Sequence, residues 1–136
     1  MKNALRMILA GAAVLALTTA CGGAKDVDES HTGALTDDDA VWESDGSRYD
    51  DYHVRITRGQ RVQVAMNSDE FDTYLMVAQP DGSEAAQNDD CPEPPGTLNS
   101  CVDFVAPTSG RYRVIANAYD ASGRGAYTLT IRASKP

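Results

Sequence analysis

From Tyr49 to Val77 the chain alternates apolar and polar residues with the two-residue period of a β-strand. In Tyr52-His53-Val54-Arg55-Ile56 every second side chain is apolar, the signature of a strand with one buried face. Arg58-Gly59-Gln60 breaks the run, and Val62, Val64 and Met66 resume it on alternate positions. Phe71 to Val77 is more continuously apolar, which predicts a strand covered on both sides. The rhythm returns in Val102, Phe104 and Ala106, in Tyr112, Val114 and Ala116, and in Tyr127, Leu129 and Ile131. His31 to Leu35 is expected as a short first strand and Glu84 to Gln87 as a weak one.

Turn chemistry separates these runs. Thr36-Asp37-Asp38-Asp39-Ala40 reads as a side-chain-capped turn, and Asp45-Gly46-Ser47, Gln79-Pro80-Asp81-Gly82-Ser83 and Ser109-Gly110 read as reversals. Asp120 to Gly125 reads as a hairpin loop. The sum is seven or eight strands at roughly 8–12-residue spacing, with no helical period, which predicts an antiparallel all-β sandwich or barrel.

The first residues follow a different rule. Lys2 and Arg6 precede an apolar run from Met7 to Leu17, and Leu17-Thr18-Thr19-Ala20 leads into Cys21. That is the layout of an export signal, residues 1–20, and the run is short of the about 20 residues a span needs. A bare single-span anchor is the alternative. Leu-Thr-Thr-Ala-Cys resembles a bacterial lipobox, although Leu17 stands one position earlier than is usual. The resemblance implies that Cys21 becomes an acylated N-terminus, with palmitate among its chains, anchoring the protein to the lipid bilayer on the extracytoplasmic side of the bacterial cell envelope. In a diderm source that means the outer membrane, since Gly22 rather than Asp follows the cysteine. An unlipidated cysteine near an ordinary cleavage point is the competing reading. Residues 21–30 are polar and glycine-led and are expected to form a tether with a reach of roughly 15–18 Å. The domain proper is expected over 31–133, with no second domain in 136 residues.

The formal net charge of −8 excludes a nucleic-acid binder, since no basic stripe offsets it. With Cys21 acylated, Cys91 and Cys101 remain, and an oxidising compartment makes a disulfide their default. Pro92, Pro94, Pro95 and Gly96 lie between them, so the bond would clamp a loop. A zinc or redox role lacks a Cys-x-x-Cys pair and a neighbouring histidine.

Several segments in order resemble the bacterial pre-peptidase C-terminal domain. They are Gly33-Ala34-Leu35, Tyr49-Asp50-Asp51-Tyr52-His53-Val54, Gly59-Gln60-Arg61-Val62 and Phe71-Asp72-Thr73-Tyr74-Leu75. Pro80-Asp81-Gly82, Asn88-Asp89-Asp90, Ala106-Pro107-Thr108-Ser109-Gly110-Arg111-Tyr112 and Gly125-Ala126-Tyr127-Thr128-Leu129 complete the set. The resemblance implies a jelly-roll-like sandwich and an accessory module that binds extracellular polymers, with calcium in some relatives. The proline-rich cysteine loop and the missing peptidase depart from it.

Candidate chemistry follows. Asp50, Asp51, Asp72, Asp89 and Asp90 sit beside strands and turns and are the candidate calcium ligands, since calcium takes six to eight oxygens. The opposing reading is that aspartates cap turns. Calcium aside, no cofactor is expected. His31 and His53 are the available imidazole bases, and no Gly-x-Ser-x-Gly or His-Glu-x-x-His occurs, so no catalytic residue and no enzyme is expected. Trp42 and Tyr119 are the candidate ligand contacts, with Tyr49 and Tyr74 able to add flat faces or to fill the core. The expected partner is an extracellular polymer or an envelope protein; the alternative is an accessory to a secreted peptidase or envelope complex.

Overall fold

A computed structural model of the protein describes residues 23–136, and residues 1–22, including the expected signal segment and Cys21, lie outside the described residues. Among the described residues there are nine strands: β1 (Val27–Leu35), β2 (Ala40–Val41), β3 (Arg48–Ile56), β4 (Arg61–Asn67), β5 (Thr73–Ala78), β6 (Glu84–Asn88), β7 (Ser100–Val105), β8 (Gly110–Ala118) and β9 (Gly125–Ser134). They form two antiparallel sheets, β1-β9-β4-β7 and β2-β3-β8-β5-β6. The pairing is nested: β1 with β9, β3 with β8, β4 with β7 and β5 with β6. Two four-stranded layers wound from nested pairs make a jelly roll, with β2 as a short addition at one edge. Among the described residues no helix is long and apolar enough to cross a membrane.

The alternation read from the sequence is the core. Val62, Val64 and Met66 of β4 lie opposite Ala133, Ile131 and Leu129 of β9 in one layer, and all six are buried. Val54, Ile56, Leu75, Val77, Tyr112 and Val114 line the other. Gly46, Gly59 and Gly82 take positive φ in the turns that Cβ-bearing residues would strain.

Three expectations are corrected. The tether is shorter than residues 21–30, because β1 begins at Val27 and pairs Val27 with Ala133. Its alternation runs through Val27, Glu29 and His31 against exposed Asp28, Ser30 and Thr32, so hydropathy does not reveal it. The strand count exceeds eight because two-residue β2 is too short to show a period. Finally, β5 is not deeply covered on both sides: Leu75 and Val77 are buried, whereas Tyr74 and Met76 lie half-buried on the outer face.

The sandwich has two distinct ends. Residues 23–26 and the turns at 57–60, 79–83 and 106–109 gather at the tether end. The connections at 36–39, 42–47, 68–72, 89–99 and 119–124 gather at the distal end.

Candidate functional site

The outer face of the β2-β3-β8-β5-β6 sheet carries a row of aromatic residues toward the distal end. Strand register fixes it: Asn117 of β8 lies opposite Tyr49 of β3 on one side and Tyr74 of β5 on the other. Alternation puts all three on the same outward face, since Ala116 and Ala118 point into the core. Trp42 packs edge-on against Tyr49 at 5.4 Å between ring centroids, and Tyr119 extends the row with 52% of its surface exposed. Trp42 is thus half-buried rather than free, and Tyr119 is open to solvent, as the sequence suggests.

Polar groups are set among the rings. The Arg113 guanidinium lies 5.7 Å from the Tyr49 ring centre and makes a bidentate pair with Asp51 at 2.7 and 2.9 Å. The Tyr74 hydroxyl donates to the Gln87 side-chain oxygen. Burial pushes the Tyr74 phenol above its ordinary range, and the carboxylates of Glu84, Asp89 and Asp45 add to the shift. Asn117 and Ile115 point outward yet are buried, at 1% and 4% exposure, beneath the flanking side chains. The Asn117 Oδ1 accepts no hydrogen bond. Such a row of rings with amide and carboxylate groups at its margins suits a flat sugar or an extended peptide.

A second polar cluster ties the sheets together at the β1/β3 edge. Tyr127 reaches across the core to donate to Asp50, and its hydroxyl shares a 2.6 Å hydrogen bond with Tyr52. Gly33 makes room, because a Cβ there would overlap the Tyr127 ring. Burial is the main cause of a raised Asp50 pKa, opposed by the Tyr127 bond, and burial with the Asp50 contact drives the Tyr127 phenol far upward. His31 stacks at 4.7 Å on Tyr52 and meets Glu29 at 3.0 Å. His53 stands exposed on the outer face. Neither imidazole is hydrogen-bonded to a serine, threonine or cysteine side chain among the described residues.

The five aspartates expected to hold calcium do not form one site. Asp50 and Asp51 are consecutive on β3, so their side chains point to opposite faces, one to Tyr127 and the other to Arg113. Asp72 lies instead near Asp90, Asp89 and Asp120, whose charges act on it, so three of the five candidates come together at the distal end apart from Asp50 and Asp51. Among the described residues no group of three or more histidines, cysteines or carboxylates is placed to hold a metal.

Asp72 yields a pH prediction. Burial, then repulsion by Asp90, Asp89 and Asp120, raises its pKa, and its Oδ1 is unpartnered. A raised folded-state pKa means the folded protein holds the proton longer, so stability falls as pH climbs past the usual carboxylate range. Asp72→Asn should therefore melt above the parent at pH 7 and show no such gain at pH 3. Thermal scans at the two pH values check it.

Cys91 and Cys101 form a disulfide, Cα atoms 5.3 Å apart, which closes the 91–101 loop at the distal end. Sequence reasoning missed Asn117 and Ile115, whose burial comes from neighbours on β3 and β5. It also missed Tyr127 as a polar group, since alternation marks only its burial.

The described residues thus form a jelly roll with an open aromatic outer face. The family model of the bacterial pre-peptidase C-terminal domain matches residues 48–118, more than half the chain, and the chain belongs to that family. No curated protein matches it. Among solved structures it is similar to the pre-peptidase C-terminal domain of a collagenase from Bacillus anthracis, at TM-score 0.57 and 16% identity, covering 77% of this chain and 89% of that one. It is also similar to PliG, a periplasmic inhibitor of g-type lysozyme, from Aeromonas hydrophila, at TM-score 0.53 and 17% identity, covering 82% and 89%. The Salmonella Typhimurium PliG gives TM-score 0.53 and 17% identity, covering 79% and 91%. At such identities these likenesses speak for the fold alone.

Proposed function

We propose that this protein is a non-catalytic cell-envelope lipoprotein that binds an extracellular polymer or envelope protein through the outer face of its β2-β3-β8-β5-β6 sheet. The observation that carries the reading is the row Trp42, Tyr49, Tyr74 and Tyr119, set by strand register on one open face. The Cys21 anchor supplies the location, and the named periplasmic setting of the PliG inhibitors supports an extracytoplasmic one. Labelled palmitate should enter the protein and be lost with Cys21→Ser. An unlabelled parent would remove the anchor from the account.

Binding is tested on a glycan and collagen array, with and without calcium, beside a pull-down of native envelope proteins. Tyr74→Ala/Tyr119→Ala should weaken capture at least ten-fold, because truncating an aromatic hot spot costs about 2 kcal/mol or more. Capture unchanged by the pair would clear this face of the role. A second reading, an accessory or inhibitor of an envelope hydrolase, draws on the acidic balance and the PliG-like fold. A stoichiometric hydrolase in the pull-down, with an empty array, favours it.

A further inference from the structure

Charge is sorted by end. Asp37, Asp38, Asp45, Asp72, Asp89 and Asp120 lie in the distal connections, whereas Arg55, Arg58, Arg111, Lys25 and Lys135 lie at the tether end, all five exposed. Two of these cations are in an unfavourable register, since Arg55 of β3 is directly opposite Arg111 of β8. Like charges facing each other across strands are destabilising unless something neutralises them. No carboxylate among the described residues pairs with either arginine. Among the described residues the arginine ion pairs are Arg61–Asp103, Arg113–Asp51, Arg124–Asp37 and Arg132–Asp28, and none includes Arg55, Arg58 or Arg111.

The surroundings hold these cations together. The Arg58 amide donates to Ser109 Oγ at 2.8 Å, which brings the 57–60 turn against the start of β8 and its Arg111. Gln60 donates to the Lys25 carbonyl at 3.0 Å, and the Lys135 amide bonds Asp26 at 3.3 Å, so the chain leading back to Cys21 leaves from this same end. Of the carboxylates here, Asp103 and Asp28 are in ion pairs, and Asp81 is engaged in its own turn with Ser83. Asp26 accepts the Lys135 amide, and Glu84 stands on edge strand β6 with β5 between it and β8.

We propose that the tether end is a docking surface for anionic phospholipid headgroups, with Arg55, Arg58 and Arg111 as its centre. Phosphate oxygens relieve the Arg55–Arg111 repulsion and bond the guanidinium forks. The acidic, aromatic distal end is repelled by the same surface and stays outward. The anchor at Cys21 belongs to the proposed function, and the docking surface rests on that reading for its biological setting. Its physical test does not.

The nine strands and the core described above lie within residues 23–136, so the test uses the chain from position 21 onward with Cys21→Ser, which cannot be acylated. Co-sedimentation is measured with phosphatidylcholine vesicles, with and without one-third phosphatidylglycerol. Association with the anionic vesicles alone, released by 0.5 M salt, is expected. Arg55→Gln/Arg58→Gln/Arg111→Gln should lower partitioning by about five-fold per residue. Arg124→Gln, at the distal end, should leave it unchanged. Equal binding to neutral vesicles, or a triple variant that binds like the parent while melting normally, overturns the proposal. Saturable heat with inorganic phosphate, without vesicle association, assigns the site to a free anion and also overturns it. Palmitate labelling fails or succeeds independently of these outcomes.

Discussion

Replacing Tyr127 with alanine is expected to lower the unfolding free energy by about 3–5 kcal/mol, the range for removing a large buried ring. The ring is 3% exposed, packs edge-on to Phe71 at 6.5 Å between centroids, and fills the space left by Gly33. Its hydroxyl is the donor that Asp50 receives inside the fold. Truncation therefore leaves both a cavity and a half-buried carboxylate without its partner. For a domain of this size the melting point should drop by roughly 10–25 °C. Tyr127→Phe separates the two effects, keeping the ring and losing only the hydroxyl, at about 1–2 kcal/mol. That smaller loss should be full at pH 7 and shrink in acid. The Tyr127 bond favours the Asp50 carboxylate, so its removal raises an already raised pKa and costs less once Asp50 is protonated, while the Tyr52 bond is lost at either pH. A Tyr127→Phe loss that is the same at pH 3 and pH 7 would show that the hydroxyl does not act through Asp50.

The Cys91→Ala/Cys101→Ala variant should lose about 2–3 kcal/mol, the chain-entropy value for a loop of this length. The sequence separation is 10, and the loop carries Pro92, Pro94 and Pro95 with few inward side chains. It is not held by the disulfide alone. The Cys91 amide donates to the Asn99 carbonyl at 2.7 Å, the Cys101 amide to Asn88 Oδ1 at 3.0 Å, and Ser100 Oγ to the Asp89 carbonyl at 2.7 Å. These bonds keep the loop shape in the folded state, so the cost falls on the unfolded chain, which regains freedom. The urea midpoint should move down by roughly 1–2 M with little change in slope. Dithiothreitol acting on the parent should reproduce the shift. A variant as stable as the parent would mean that the unfolded chain is already restricted around Pro92–Pro95.

The layers of the sandwich were legible because burial in a sheet repeats every two residues. Val62, Val64 and Met66, and Tyr127, Leu129 and Ile131, are found buried as their spacing suggests. The turns were legible through glycine, as at Gly59 and Gly82, where φ is positive. The beginning of β1 was not, because Glu29 and Ser30 alternate in exposure without alternating in hydropathy. Which strands pair was not legible either: the Tyr127–Asp50 contact joins positions 77 residues apart, and no local pattern encodes that. The candidate calcium aspartates divide for the same reason: Asp50 and Asp51 are neighbours on a strand and turn to opposite faces, whereas Asp72 lies near Asp89 and Asp90 at the distal end. Tyr119 could be picked out as an exposed ring beside a loop, whereas the buried Asn117 between Tyr49 and Tyr74 emerges only from register.

Among the described residues the first strand pairs with the last, Val27 with Ala133. A ribosome emits the N-terminal partner long before the C-terminal one exists, so β1 must wait, unmatched, while more than a hundred residues follow. Removing the final ten residues would strip β4 as well as β1 of its neighbour, leaving two orphaned edges inside one layer. A stop codon within β9 should therefore be as damaging as one far upstream of it.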